Sequence, residues 1–509
     1  MLLLVAVLLG SPLRPVMAQT ADQKNLSAQV EKLTEAMARA QAQLEESQRE
    51  MNEMRAQLAT LRSLMEKSGS HETTPTAPES SSAEASAAAL AAAVQDLREH
   101  QAIEEAQIAT HEQSKVESES KYPVKVTGLL LLSSFVNTKA VDMAATPTVA
   151  VPGAGSTGAT MRQTQVGLDA RGPQLFGAQS YADLRADFDG MPSQTNSSGS
   201  YSGYYSASAS LLRLRTAHAG LRWNRTDLAF SLDRPITSPD TPTSLTAVAI
   251  PALAWSGNLW TWNPQVVLTQ DLNVFSSGRV ELQGALTSVA DAPLTPLATA
   301  STLVSPPSTG EQSRWPGAEA RVAFVGSPAT SWRAGSRVGV GGYFEPHDST
   351  FLDRRFDSWA ATLDVSQPLP GGLEFTGGFY RGLALGGLGG GAYKDIAYKP
   401  DLDGTGYYSR PLDDVGGWAQ LKERASERLQ MNAAFGIDNV FAGELRPFFV
   451  SGGSVYQNLA RNRTYTGNVI FSPSAYLMFS LEYRHLVSSP VTGPPAASDV
   501  IGLGAGYKF

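Results

Sequence analysis

Eight arginines in this 509-residue chain raise the first chemical question. Arg185, Arg213, Arg215, Arg279, Arg321, Arg333, Arg337 and Arg484 stand in stretches of alternating apolar and polar residues, and each takes the polar parity. A guanidinium stays charged and offers several fixed donors, so a row of them suits the passage of carboxylates or phosphates. Asp183, Asp187, Glu281, Glu319 and Glu482 share that parity. Two chemistries are therefore open. One is a positive field that concentrates anions; the other is a wall of ion pairs, rigid and weakly selective. The stretch from Arg234 to Gln265 adds Asp240, an Ala-rich run, and then Trp255, Asn258, Trp260 and Trp262. Folded into a lumen, it would form a constriction in which tryptophans bracket the apolar part of a solute and Asp240 opposes the arginines. The other placement for the tryptophans is an interfacial aromatic belt.

Covalent chemistry has no comparable footing. His71, His100, His111, His218, His347 and His485 show no metal-ligand spacing. Asp401-Leu402-Asp403-Gly404 starts like a calcium loop but lacks the later ligands. Gly386 to Gly391 has no helix behind it to hold a phosphate. No catalytic triad, zinc motif or P-loop is present, so the sequence reads as a non-enzyme without metal or cofactor.

The elements that must position the arginines are strands. In Ala178 to Asp189, Ala182, Leu184, Ala186 and Phe188 oppose Gln179, Tyr181, Asp183, Arg185, Asp187 and Asp189. Asp227 to Asp233, Ser331 to Phe344 and Ala475 to Val487 repeat the pattern. About sixteen such segments of roughly ten residues follow Pro123, the length of a tilted strand in a membrane. Connections alternate between short ones, such as Gly172–Gln174 and Pro370–Gly372, and long ones near 139–158, 235–262, 384–413 and 488–498. The last strand puts Ile501, Leu503, Ala505, Tyr507 and Phe509 on one face and Gly502, Gly504, Gly506 and Lys508 on the other. A terminal aromatic strand of this kind closes a barrel onto its first strand, since an unpaired edge in lipid leaves backbone groups unsatisfied. In a barrel of sixteen strands the interior is too wide for side chains to fill. The apolar faces then point out to lipid and the Arg and Asp faces point in to water. The expected fold is an all-β transmembrane barrel of about sixteen antiparallel strands with an N-terminal α-helical coiled-coil extension.

Composition agrees. No apolar run beyond the N-terminus reaches the length of a membrane helix, and with no cysteine the fold rests on its hydrogen-bond ladder. Residues 1–120 hold 10 Lys+Arg and 18 Asp+Glu, a net −8; residues 121–509 hold 30 of each. Nothing supplies the basic excess that nucleic acid requires. Residues 1–18 read as a signal peptide, with Val16-Met17-Ala18 before the cut. Residues 19–67 form a coiled coil, its seam running from Leu26 through Val30, Leu33 and Met37 to Met65 at alternating spacings of four and three. The heptads alone leave dimer and trimer open. Residues 68–86 are a flexible linker, 87–120 a second helix, and 121–509 the barrel.

Those features together resemble the bacterial outer-membrane porins, and most closely the DcaP-like trimeric porins. The likeness rests on the signal at 1–18, the heptads at 26–65, the first strand Tyr122 to Gly128, and the closing Gly506-Tyr507-Lys508-Phe509. It implies a homotrimer embedded in outer-membrane lipid, with the coiled coil in the periplasm reaching toward peptidoglycan. It also implies passive diffusion of small hydrophilic, often anionic, solutes past an inward loop. Tyr507 and Phe509 resemble the signal read by the barrel-assembly machinery. The second Ala-rich helix and long linker depart from that pattern. The competing reading is an anchor or adhesin whose barrel does not conduct.

Overall fold

The computed structural model describes residues 124–190, 211–275, 277–296, 306–327 and 335–509. The expected signal, coiled coil, linker and second helix, with Arg333, lie outside them.

The described residues form a closed antiparallel barrel. Its first strands are β1 (Val124–Val141), β2 (Ala150–Thr160), β3 (Gln165–Leu175), β4 (Ala178–Gly190), β5 (Leu211–Arg222) and β6 (Thr226–Asp233). Next come β7 (Asn263–Phe275), β8 (Gly278–Thr287), β9 (Gly317–Gly326), β10 (Arg337–Ser349), β11 (Arg354–Pro368) and β12 (Leu373–Leu383). A two-stranded hairpin, β13 (Ile396–Pro400) and β14 (Tyr407–Pro411), lies in a connection outside the barrel sheet. The wall finishes with β15 (Asp413–Arg424), β16 (Leu429–Val440), β17 (Leu459–Phe471), β18 (Leu477–Pro490) and β19 (Ala496–Lys508). The sheet has 17 segments, but β2 and β3 pair with successive parts of β1 and share one place, so the wall is sixteen strands round.

Closure is made by the last strand, as its alternation requires. β19 pairs with β1 in a register that sets Leu130 opposite Tyr507 and Val136 opposite Ile501. Gly128 and Phe509 exchange both backbone bonds, at 2.9 and 3.1 Å. The ladder therefore has no open edge here, and each group left unpaired in lipid would cost several kcal/mol.

The pleat sorts the side chains. Leu130, Leu132, Phe379, Leu421, Phe479, Leu481, Tyr483 and Leu503 are exposed on the outer face. Asn462, Thr464, Thr466 and Asn468 of β17 are buried on the inner one. No helix among the described residues is long and apolar enough to cross a membrane; the strands supply the apolar belt.

Several boundaries differ from the sequence reading. Gly172–Gln174 lies within β3, and the turn falls at Phe176 and Gly177, both at positive φ (53° and 75°). The span 139–158 is mostly strand, with only 142–149 connecting β1 to β2. Its Pro and Gly content looks like a loop, but β2 is held by ladder bonds that need no side chain. Likewise 488–498 shrinks to a connection at 491–495, and the strand placed from Ser331 is described from Arg337 onward. We name the longer connections at one end L1 (142–149), L3 (234–262), L4 (288–316), L6 (384–412), L7 (441–458) and L8 (491–495). The other end carries short turns.

Candidate functional site

L3 leaves the wall after β6 and runs inside the barrel. Its side chains and backbone bond to inner-wall residues nearly all the way round. Thr237 donates its N–H (3.1 Å) and hydroxyl (2.9 Å) to Glu319 on β9, and Asp240 pairs with Arg337 on β10. The Thr243 N–H reaches Gln420 on β15 at 2.6 Å, and the Ser244 hydroxyl reaches Glu482 on β18 at 2.5 Å. Gln163, fully buried, donates to the Thr246 carbonyl and accepts from the N–H groups of Val248 and Ala249. That contact explains the break between β2 and β3: leaving the ladder at 161–164 frees Gln163 to hold L3, while Thr164 Oγ1 takes over the Leu131 N–H at 3.1 Å. On the return path Asn462 of β17 donates to the Trp255 carbonyl and to Ser256 Oγ, both at 2.9 Å.

Small residues in the wall make the docking possible. A Cβ at Gly436 would overlap the Ser256 carbonyl, and one at Gly502 would press on Thr246 at 3.0 Å. Gly257, at φ +98°, brings L3 against the Gly417 carbonyl. Leu253 and Trp255 also hold positive φ, so L3 stores backbone strain that its many bonds must offset.

The tryptophans sit in a buried cluster rather than on the outer face. Trp255 stacks on Tyr393 of L6 at 3.9 Å and meets Trp260 edge-on at 6.1 Å; Trp260 meets Trp262 at 5.3 Å. Val149, Leu412, Val440, Leu445, Phe448 and Leu459 complete an apolar core drawn from several loops. Asn258 is fully buried and donates to Thr241 Oγ1 at 2.9 Å, which folds L3 on itself.

Two consecutive residues of L6 bind its neighbours, and the sequence reading missed both. The Lys394 ammonium donates to the carbonyls of Ala392, Tyr456 and Leu459 at 2.7 to 3.0 Å. Asp395 accepts from the N–H groups of Ala292 in L4 and Gly387, each at 3.2 Å. Burial pulls Lys394 down to about 7 and pushes Asp395 up to about 7. Three carbonyls match the three ammonium donors, which favours the charged form against that downward pull.

The arginines of the sequence reading fall into two groups. Most are paired. Arg321 is buried and binds Asp364 through two bonds (2.8 and 2.7 Å), with Glu281 at 3.1 Å. Arg185 meets Asp169 at 2.6 Å, Arg279 meets Asp271 at 3.1 Å, and Arg484 meets Glu482 at 2.9 Å. Asp183 binds His218, whose other nitrogen meets Asp233. The second group surrounds Trp262. Arg213 holds buried Asp187 through two bonds, at 3.0 and 2.7 Å. Arg215 is 3.6 Å from the same carboxylate and 4.9 Å from the Trp262 ring centre, while Arg213 lies 5.4 Å from that ring. A register shift in β5 puts Thr216 opposite Arg185 and Leu214 opposite Ala186, leaving Arg215 as the extra residue. Arg213 and Arg215 therefore reach the same carboxylate. Arg215 Nη1, Arg234 Nη1 and Arg337 Nε are buried without a hydrogen-bond acceptor. Burial lowers the Arg234 affinity for its proton, opposed by the charges of Asp233 and Asp240, with Arg337 adding like-charge repulsion.

Among the described residues no group of three His, Asp or Glu could hold a metal ion. No protein-family model matches the chain, and no curated protein does. Solved structures do. The crystal structure of the outer membrane channel DcaP of Acinetobacter baumannii aligns over 77% of this chain and 99% of its own, at 15% identity and a TM-score of 0.53. The barrel has the porin fold. An anion-selective porin from Comamonas acidovorans aligns over 76% of this chain and 100% of its own, at 10% identity and a TM-score of 0.44. The first likeness agrees with the strand count and closure on which the fold rests, and at that identity it speaks for fold alone.

Proposed function

We propose that this chain is an outer-membrane porin that lets small hydrophilic, anionic solutes diffuse through a lumen narrowed by L3. The loop end faces outside the cell and the turn end faces the periplasm. One observation carries the anion preference: Arg213 and Arg215 flank the Trp262 ring and reach the same carboxylate, Asp187. Arg234 and Arg337 meet Asp233, Asp240 and Asp364, yet Arg215 Nη1, Arg234 Nη1 and Arg337 Nε still lack hydrogen-bond acceptors. Unspent donors in a low-dielectric wall attract carboxylate or phosphate oxygens. The remaining arginines, paired to carboxylates, stiffen the wall and add little selectivity. The protein works as a homotrimer without covalent chemistry, tied together by its N-terminal coiled coil.

A second reading draws on the apolar loop core. L1, L3, L6 and L7 pack together as a protein interior does, which suits an anchor with a non-conducting barrel. Reconstitution in a planar bilayer under a salt gradient separates the two. A porin conducts, and the sign of its reversal potential reports anion preference. Folded protein that passes no current is an anchor.

A further inference from the structure

We infer that the outer face of β12 and β15–β17 is a binding site for a phosphorylated lipid of the outer leaflet. The inference rests on the outer-membrane placement proposed above. The site has an apolar part and a cationic part, both on the lipid side of the wall.

The apolar part is a groove of about 510 Å³. The backbone register puts Gly417, Ile437 and Arg463 in one outward row, and Ala419, Phe435 and Tyr465 in the next. Gly417 and Ala419 give the groove a low floor, while Phe379, Phe435 and Ile437 rise as its sides. A trough of this volume, following β15 from Val415 to Ala419 with apolar sides, fits part of an acyl chain.

The cationic part lies at the loop end of that groove. Arg461 and Arg463 are the third and fifth residues of β17, so they sit within about 15 Å of its start at roughly 3.3 Å per residue. Arg461 lines the groove and makes one bond, from Nε to Asn439 at 2.6 Å. Arg463 has no carboxylate partner among the described residues, and its Nε is buried without an acceptor. The other outward charges nearby are matched: Arg381 with Asp413 at 2.5 Å, and His485 with Asp499 at 2.7 Å. An arginine in a lipid-facing wall is costly, more so with depth, unless an anion meets it. Two unmatched guanidiniums above an acyl-sized groove match a phosphate joined to acyl chains. A water-soluble anion would leave the groove empty.

The test uses full-length protein in nanodiscs of phosphatidylethanolamine with a small fraction of bis-phosphorylated lipid A. Lipid retained through delipidating detergent washes is counted by native mass spectrometry. The comparison variants are Arg461→Gln with Arg463→Gln, and Ala419→Leu, which fills the groove. Neither variant touches the lumen, so unchanged single-channel current and heat-modifiable migration verify folding. The expected result is about tenfold less retained lipid A in the double arginine variant and a several-fold loss in Ala419→Leu. Dephosphorylated lipid A should bind wild type as weakly as the intact lipid binds the double variant. Equal retention by wild type and double variant overturns the inference. So does a change of subunit number in the variants with lipid retention unmoved, which makes this face a subunit contact. Protein that binds lipid as expected yet passes no current supports the lipid site and sinks the porin reading instead.

Discussion

The inner wall of β15–β19 and the inner wall of β3–β10 are built from the same ladder and differ in how much of it is small and neutral. The first presents Gly436, Asn462, Thr464, Asn468, Gly502 and Gly504 beside the buried Asp414, Asp438, Glu482 and Arg484, and L3 lies directly on it. The second presents Asp169, Arg185, Asp187, Arg213, Arg215, Arg321 and Arg337. Small, uncharged positions let a backbone approach and accept its bonds. Charged positions hold one another across neighbouring strands, and beside Trp262 Arg215 Nη1 is left without an acceptor. The β15–β19 wall seats L3 from Thr243 to Ser256, while Glu319 and Arg337 of the β3–β10 wall hold its start.

The sharpest way to break this contrast is at the best-paired charge. Arg321→Gln strips Asp364 of two bonds in a buried place. We expect a loss of roughly 3–5 kcal/mol in unfolding free energy, read by denaturant titration in detergent, with amide exchange in L3 unchanged. A variant as stable as wild type would deny the charged wall its stiffening role.

On the β15–β19 wall, Asn462→Ala removes bonds to Thr148, Trp255 and Ser256. The expected cost is about 1–3 kcal/mol, with amide exchange rising in L1 and at 254–258. If exchange rises evenly over the barrel, that wall is not what seats the loop.

Arg215→Gln probes selectivity with little cost, since Arg213 keeps its two-bond contact to Asp187. The reversal potential should move toward cations by a few-fold change in permeability ratio, at roughly unchanged conductance. No movement would place the anion preference elsewhere.

The smallest effect is with pH. Asp395, raised to about 7 by burial, contributes docking stability that is full below about pH 4 and lost as pH climbs through 7. Lys394, lowered to about 7, contributes stability that is full above about 10.5 and lost as pH falls through 7. L6 is therefore held least tightly near neutrality. Amide exchange at 386–395, corrected for intrinsic rates, should peak there. Asp395→Asn should flatten the acid limb and Lys394→Met the alkaline limb.

Much of the fold was legible because strand parity is local. Alternation in Ala178–Asp189 or Ala475–Val487 marks a wall strand without knowledge of its neighbours. The closing role of Tyr507 and Phe509 follows from the same rule, and β19 does pair with β1. What escaped was set by contacts distant in sequence. β2 looks like a loop because it is glycine-rich, yet β1 holds it by ladder bonds. The shift at Arg215 shows only in the pairing of β4 with β5. Gln163, Asn462, Lys394 and Asp395 carry no local signature; each matters because of a loop that arrives from 60 or more residues away. Parity also placed arginines inside without saying which were spent on carboxylates, because that depends on strand register.

A barrel that conducts, with Arg213 and Arg215 beside Trp262 favouring anions, can be tested in one experiment. The most direct measurement is the current through purified, full-length protein in a planar bilayer under a tenfold salt gradient. Stepwise conductance in three equal levels and a reversal potential on the anion side are expected. Folded protein that carries no current, or one whose reversal potential lies on the cation side, would contradict that expectation.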